Sequence, residues 1–150
     1  MINGVIIKQL KKNEDVRGWL AEIYRSDEIS YQPQMSYISV TKPGIVRGPH
    51  EHREQTDFFV FLGPGKFCLY LWDNRPDSST YQKQEIIKAG EDNPMAVLVP
   101  AGVVHGYKCI SDVPGWCINL PDKLYKGEWK KEEVDEVRWE NDPHSPFKIE

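Results

Sequence analysis

The spacing of its apolar runs constrains this chain more than any other feature. The runs are short, roughly four to eight residues each, and turn-forming residues interrupt them about every eight to twelve positions. Residues 4–10, 19–25 and 34–40 are β-branched or alternate apolar with polar, as half-buried strands do. In the last of these, Met35, Tyr37 and Ser39 fall on one side and Ser36, Ile38 and Val40 on the other, a period that argues against a helix. Residues 57–62 and 66–72 are continuously apolar around Gly63-Pro64-Gly65 and read as a buried hairpin. Residues 84–88 and 95–99 are further strands, and residues 105–110 and 115–120 suggest a second hairpin around residues 111–114. Only residues 129–137 read as helical, for one or two turns, after which residues 137–139 return to β and residues 142–146 form a tail. No repeat of fixed period is present. The prediction is an all-β single domain over residues 1–150, a sandwich or barrel of jelly-roll type with a short C-terminal helical segment.

Charge and cysteine usage narrow the function classes. A net charge of −4 supplies no basic footprint for nucleic acid, although local arginines can hold a small anion. No apolar run approaches the roughly 20 residues of a membrane span, and the N-terminus lacks a signal-peptide pattern. Cys68, Cys109 and Cys117 sit in apolar runs at irregular spacing, which points to buried thiols in the cytoplasm rather than a disulfide framework. Trp19, Trp72 and Trp116 are expected in the core.

Three of the four histidines lie in two compact pieces, Arg47-Gly48-Pro49-His50-Glu51-His52 and Pro100-Ala101-Gly102-Val103-Val104-His105-Gly106-Tyr107. We expect these pieces to meet in space. His50 and His52 share a face of an extended strand. Asp57 falls on the opposite face by parity, unless a turn at residues 53–55 resets it. His52, flanked by Glu51, Arg53 and Glu54, also reads as a solvated loop residue. Arg17 and Arg47 have a plain alternative as surface ion pairs with Glu14, Asp15 or Glu51.

The histidine pieces resemble the two motifs of the cupin superfamily, His-x-His followed by an acid and Pro-x-Gly-x-x-His. By that resemblance His50, His52, Asp57 and His105 could hold one divalent metal. A longer resemblance runs along the chain. Asp15-Val16-Arg17-Gly18, Gly44 to His50, Asp73 to Thr80, Pro100 to Tyr107 and Val137 to Pro143 resemble, in order, the dTDP-4-dehydrorhamnose 3,5-epimerase family. The resemblance implies a cupin jelly roll and a homodimer that exchanges N-terminal strands. It also implies a nucleotide-linked 4-keto-6-deoxy sugar as substrate, a place in surface polysaccharide sugar biosynthesis, and no metal or other cofactor. His50 matches the family's proton-abstracting base, and His105 the histidine beside the sugar. Arg17 and Arg47 match its substrate arginines, with Tyr107 and Asn119 completing the substrate contacts. The family's acid tyrosine has no counterpart in Trp116-Cys117-Ile118-Asn119-Leu120. Its base-paired aspartate and a substrate lysine are likewise absent, Asp57 or Phe58 standing in the lysine's place. Three readings follow. One is an epimerase or isomerase in which another carboxylate orients His50 and water or Tyr107 returns the proton. The others are a metal-dependent cupin and a non-catalytic sugar-nucleotide-binding protein.

Overall fold

The structure, a computed structural model, describes residues 1–150. In chain order its strands are β1 (Ile6–Gln9), β2 (Asn13–Asp15), β3 (Gly18–Leu20), β4 (Tyr37–Thr41), β5 (Val46–Glu51), β6 (Asp57–Phe61), β7 (Lys66–Asp73), β8 (Gln84–Gly90), β9 (Met95–Val99), β10 (Val103–Cys109), β11 (Gly115–Asn119) and β12 (Val137–Arg138). One five-stranded sheet runs β1-β9-β6-β11-β4 and the second runs β12-β5-β10-β7-β8, with β2 and β3 as a separate hairpin. All pairings are antiparallel. This is the expected all-β, cupin-like jelly roll.

Burial explains the two kinds of strand. Phe59, Phe61, Phe67, Leu69, Leu71 and Val97 fill the space between the sheets. Phe58, Val60 and Leu62, pointing the other way from β6 and its end, pack beneath Ile23, Tyr24 and Ile29. On the far side of the second sheet, Cys68, Tyr70 and Trp72 lie under Trp139, Phe147 and Ile149. Strands covered on both faces must be apolar at every position, hence the unbroken runs. In β4 the two faces differ. Tyr37 and Ser39 line the open cleft between the sheets, where Tyr37 is still half exposed, while Ile38 and Val40 are exposed on the other face.

Several expectations fail for identifiable reasons. Neither apparent hairpin exists: β6 and β7 belong to different sheets, and so do β10 and β11. Their turns are corners at which the chain crosses between sheets. The corners lie against each other, with Trp116 N–H donating to the Pro64 carbonyl at 3.0 Å and Lys66 N–H to Ser111 Oγ at 2.9 Å. Continuous apolar character marks a strand but carries no information about its partner. Of residues 19–25 only the first two are in strand; Ala21, Ile23 and Tyr24 instead cross the outer face of the first sheet. Trp72 is buried as expected, but Trp19 and Trp116 are half exposed. The helical segment reduces to 3-10 turns at Glu128–Lys130 and Trp139–Asn141, flanking β12. Beyond the tail, Phe147 packs on Trp72 and Trp139 at ring-centroid distances of 5.6 and 5.1 Å. The three cysteines are free and buried, as expected.

The Asp73–Thr80 piece is structural. The buried Asp73 carboxylate accepts from Arg75 Nε at 2.7 Å and from Ser78 Oγ and Thr80 Oγ1 at 2.6 Å each. Arg75 Nη2 also donates to the Asn3 carbonyl at 2.6 Å, so this carboxylate ties the N-terminus to the sandwich. Burial opposes its charge, yet these donors hold its carboxyl well below the usual carboxylate range. Asp73→Ala would strand a guanidinium and two hydroxyls, and we expect a loss of about 3–5 kcal/mol in urea unfolding. A loss below about 1 kcal/mol, the scale of an ordinary surface substitution, would refute this role.

Candidate active site

The two histidine pieces meet on neighbouring strands. β5 and β10 pair so that His50 lies opposite His105 and Arg47 opposite Tyr107, with a shift of register between the two pairs. Two glycines permit the shift. Gly48 sits at φ 86°, and a Cβ there would lie 2.7 Å from the His105 carbonyl; a Cβ at Gly106 would lie 2.7 Å from the Arg47 carbonyl. The backbones touch at this bulge, and the rings beyond it converge. The centroids of His50 and His105 are 4.6 Å apart, and those of His52 and His105 are 5.8 Å apart.

Asp57 joins them from the opposite sheet. The chain bends at residues 53–55, where the Asp135 carboxylate accepts the N–H groups of Arg53, Glu54 and Gln55 at 2.9 Å each. That bend resets the parity and turns Asp57 inward. Its Oδ2 lies 3.2 Å from Nε2 of both His52 and His105. Its Oδ1 accepts from Asn119 Nδ2 at 2.8 Å and Gln55 Nε2 at 2.9 Å. Burial raises the carboxyl's pKa, but the imidazoles outweigh it and hold it far below the usual range.

His52 is therefore not a solvated loop residue. It is buried, its Nδ1 donates to the Asp135 carbonyl, and its Nε2 faces Asp57. Each ring nitrogen meets an acceptor, so the ring suits the imidazolium form. Burial alone would lower its pKa, but the Asp57 carboxylate prevails and raises it to about 9. His105 donates from Nδ1 to the Val103 carbonyl at 2.9 Å, while its Nε2, though near Asp57, makes no hydrogen bond. His50 differs from His52. Burial, then the neighbouring imidazoles, push its pKa well below 6.5, so it is neutral at pH 7. Its Nε2 lies 3.9 Å from Glu136 Oε1, and Arg138 Nη2 holds the other oxygen of that carboxylate at 2.7 Å.

His50 and His52 open on a cleft of about 1330 Å³, lined also by Tyr37, Ser39, Arg47, Tyr107 and Glu136, whereas His105, expected beside the sugar, is buried behind them. Arg47 donates from Nε to Thr41 Oγ1 and from Nη2 to the Val40 carbonyl, each at 2.9 Å, which leaves Nη1 for a ligand. Tyr107 reaches the cleft through a hydroxyl 2.8 Å from Ser39 Oγ. Two expected substrate contacts are placed elsewhere. Arg17 lies on the exposed β2–β3 hairpin, paired with Asp15, and does not line the cleft of its own chain. Asn119 is buried behind the wall. Its Oδ1 accepts from Phe58 N–H at 3.1 Å, and its Nδ2 serves Asp57 and, at 3.0 Å, the Tyr37 hydroxyl. Sequence reasoning missed Asp135 and Glu136, hidden in a charged run, and gave Tyr37 no role beyond the alternation of its strand.

A jelly roll whose inner cleft presents a neutral histidine, a carboxylate 3.9 Å from it and an arginine is built as a cupin-type enzyme. The chain belongs to the dTDP-4-dehydrorhamnose 3,5-epimerase family, whose model matches residues 1–145, and is a carbohydrate epimerase or isomerase. It is 40% identical over 135 residues to the probable low-salt glycan biosynthesis epimerase Agl13 of Haloferax volcanii, covering 88% of this chain and 86% of that one. It is 35% identical over 144 residues to the spore coat polysaccharide biosynthesis protein SpsL of Bacillus subtilis, covering 95% and 93%. The crystal structure of a dTDP sugar isomerase from Desulfovibrio desulfuricans superposes with a TM-score of 0.86 at 22% identity, covering 98% of this chain and 91% of that one, and supports the fold.

Proposed function

We propose that the protein inverts a carbon beside the ketone of a nucleotide-linked 4-keto-6-deoxy sugar, with His50 as the base, in surface polysaccharide biosynthesis in the cytoplasm. The observation that carries this reading is the state of His50. It is neutral and lines the cleft, and we assign the Glu136 carboxylate, 3.9 Å from its Nε2 and also in the cleft, to orient it. A base removes the α-proton and donors stabilise the enolate oxygen. Arg47 supplies a fixed guanidinium for the pyrophosphate or the sugar oxygens. The family's nucleotide-sugar chemistry and the names of the relatives support the substrate class and the pathway. Solvent-deuterium incorporation into dTDP-, GDP- and CDP-linked 4-keto-6-deoxy sugars tests the reading. Deuterium beside the ketone is expected, and its absence from all three would overturn the proposal.

The proposed assembly is a homodimer that exchanges N-terminal strands. The apolar residues exposed on the β2–β3 hairpin and its turn (Val16, Trp19 and Leu20) support it, as do Ile38, Val40 and Trp116 on the outer face of the first sheet. Exchange would also carry Arg17 toward a neighbouring cleft. Light scattering should give twice the chain mass.

A second, metal-dependent reading rests on one observation: His50, His52 and His105 offer ligand atoms within 4.8 Å of one another. Such a site would draw on the unbonded His105 Nε2, with Asp57 as a fourth donor, and would supply a Lewis acid to the ketone. We propose a metal-free reaction, because both ring nitrogens of His52 are already engaged, Nδ1 by the Asp135 carbonyl and Nε2 by Asp57. One equivalent of Zn²⁺, Co²⁺ or Ni²⁺ should therefore leave the thermal midpoint and the exchange rate unchanged. A stoichiometric complex that raises both would favour the metal reading.

A further inference from the structure

Inverting a carbon requires that the proton leave from one face and return to the other. His50 stands on β5, in the second sheet, so a protein group that returns the proton must stand on the opposite wall of the cleft. That wall is the first sheet, whose edge strand is β4, and β4 presents Tyr37 and Ser39 to the cleft. Tyr37 lies directly across from Asn119 in the β4–β11 register.

The hydrogen bonds distinguish Tyr37 from the other cleft tyrosine with a structural tie. Asn119 Nδ2 donates to the Tyr37 hydroxyl at 3.0 Å. The hydroxyl is the acceptor there, and no protein group accepts its proton, so that proton is free for a ligand. Asn119 is itself fixed by Asp57 at 2.8 Å and by Phe58 N–H at 3.1 Å, which holds the phenol in place. Tyr107, by contrast, shares its hydroxyl with Ser39 and has its ring among Phe59, Phe61 and Phe67. We propose that Tyr37 is the catalytic acid, returning a proton to the face of the sugar opposite His50. The role rests on the epimerase reading above.

The step balances without a further reactant. His50 takes the α-proton, and the C–H electron pair becomes the enolate. The Tyr37 O–H bond then breaks as a new C–H bond forms on the other face and the ketone is restored. The imidazolium loses its proton to the water of the open cleft, and the phenolate takes one back. Burial pushes the Tyr37 phenol up to about 12, so it carries its proton throughout the physiological range.

The test compares Tyr37→Phe with the wild type in deuterated water, on a dTDP-linked 4-keto-6-deoxy sugar and its GDP and CDP counterparts. The variant should lose inversion by at least about 100-fold, the lower end of general-acid contributions. Its exchange with retention should continue within a few-fold of the wild-type exchange rate. Inversion at the wild-type rate would overturn the role. So would loss of both exchange and inversion in a variant that melts like the wild type, since that would make Tyr37 a binding residue. If the wild type shows no exchange on any of the sugars, the epimerase reading fails, and this role with it. If Tyr37→Phe melts early, 3,5-difluorotyrosine at position 37 keeps the shape and acidifies the phenol. The alkaline limb of inversion must then move to lower pH while that of exchange stays, and an unmoved limb would overturn the role.

Discussion

His50→Ala should abolish solvent-deuterium exchange beside the ketone, lowering kcat/KM by about 10²–10⁴-fold, the range that a positioned base supplies. The loss should fall on chemistry, because His50 projects from the cleft wall and is not part of the packed core between the sheets. The pH profile provides a second check on the same residue. The base works only when neutral. Burial and then the His105 and His52 rings push its pKa well below 6.5, so protonation silences it only in more acidic solution than a free histidine would require. The rate is therefore expected to stay level as pH falls from 8 to about 6.5, with its acid limb below that value. An acid limb above 6.5, or ordinary exchange in His50→Ala, would remove His50 from the role.

The residues differ in how far the sequence could place them. The alternation of Tyr37 to Val40 revealed a one-sided strand, because a period of two follows directly from the pleat. The same logic had no purchase on residues 57–62 and 66–72. Their second faces are covered by residues 21–31 and by Trp139, Phe147 and Ile149, contacts distant in sequence that erase the alternation and with it any hint of which sheet each strand joins. At the site, the meeting of His50 with His105 was legible because Gly-Pro-His and His-Gly pieces suit a close crossing of strands. The inward turn of Asp57 was foreseeable only as a condition, since it depends on Asp135, about eighty residues further on, accepting three successive N–H groups. The carbonyl of the same residue accepts from His52 Nδ1 and helps bury a ring that Asp57 keeps charged, although every neighbour in sequence suggests solvent. Asn119 was assigned to the substrate, but its amide is consumed by Phe58, Asp57 and Tyr37. Arg17, placed beside the substrate by resemblance, projects into solvent from its own chain.

Asp57→Asn should be the most destabilising substitution at the site, costing about 3–5 kcal/mol at pH 7, because it removes the counter-charge of a buried imidazolium. The sign of its pH dependence separates this cause from simple loss of packing. The pKa of His52 is about 9 in the folded chain and near 6.5 when unfolded, so its contribution is fully present below pH 6.5 and is lost as pH rises through 9. A shift of that size corresponds to about 3 kcal/mol, comparable with the predicted cost of the substitution. The depressed pKa of Asp57 is the same attraction seen from the carboxylate, so the two are not added; it sets the acid side, with stability lost as pH falls below about 4. Wild-type urea midpoints should accordingly decline between pH 7 and 9.5. Asp57→Asn should start lower and lack that decline, because its His52 is already neutral at pH 7. Parallel curves for the two proteins would show that the carboxylate serves packing alone. Convergence at alkaline pH would identify the His52–Asp57 charge pair as the interaction that fixes this wall of the cleft, the wall from which Asn119 and Tyr37 are held.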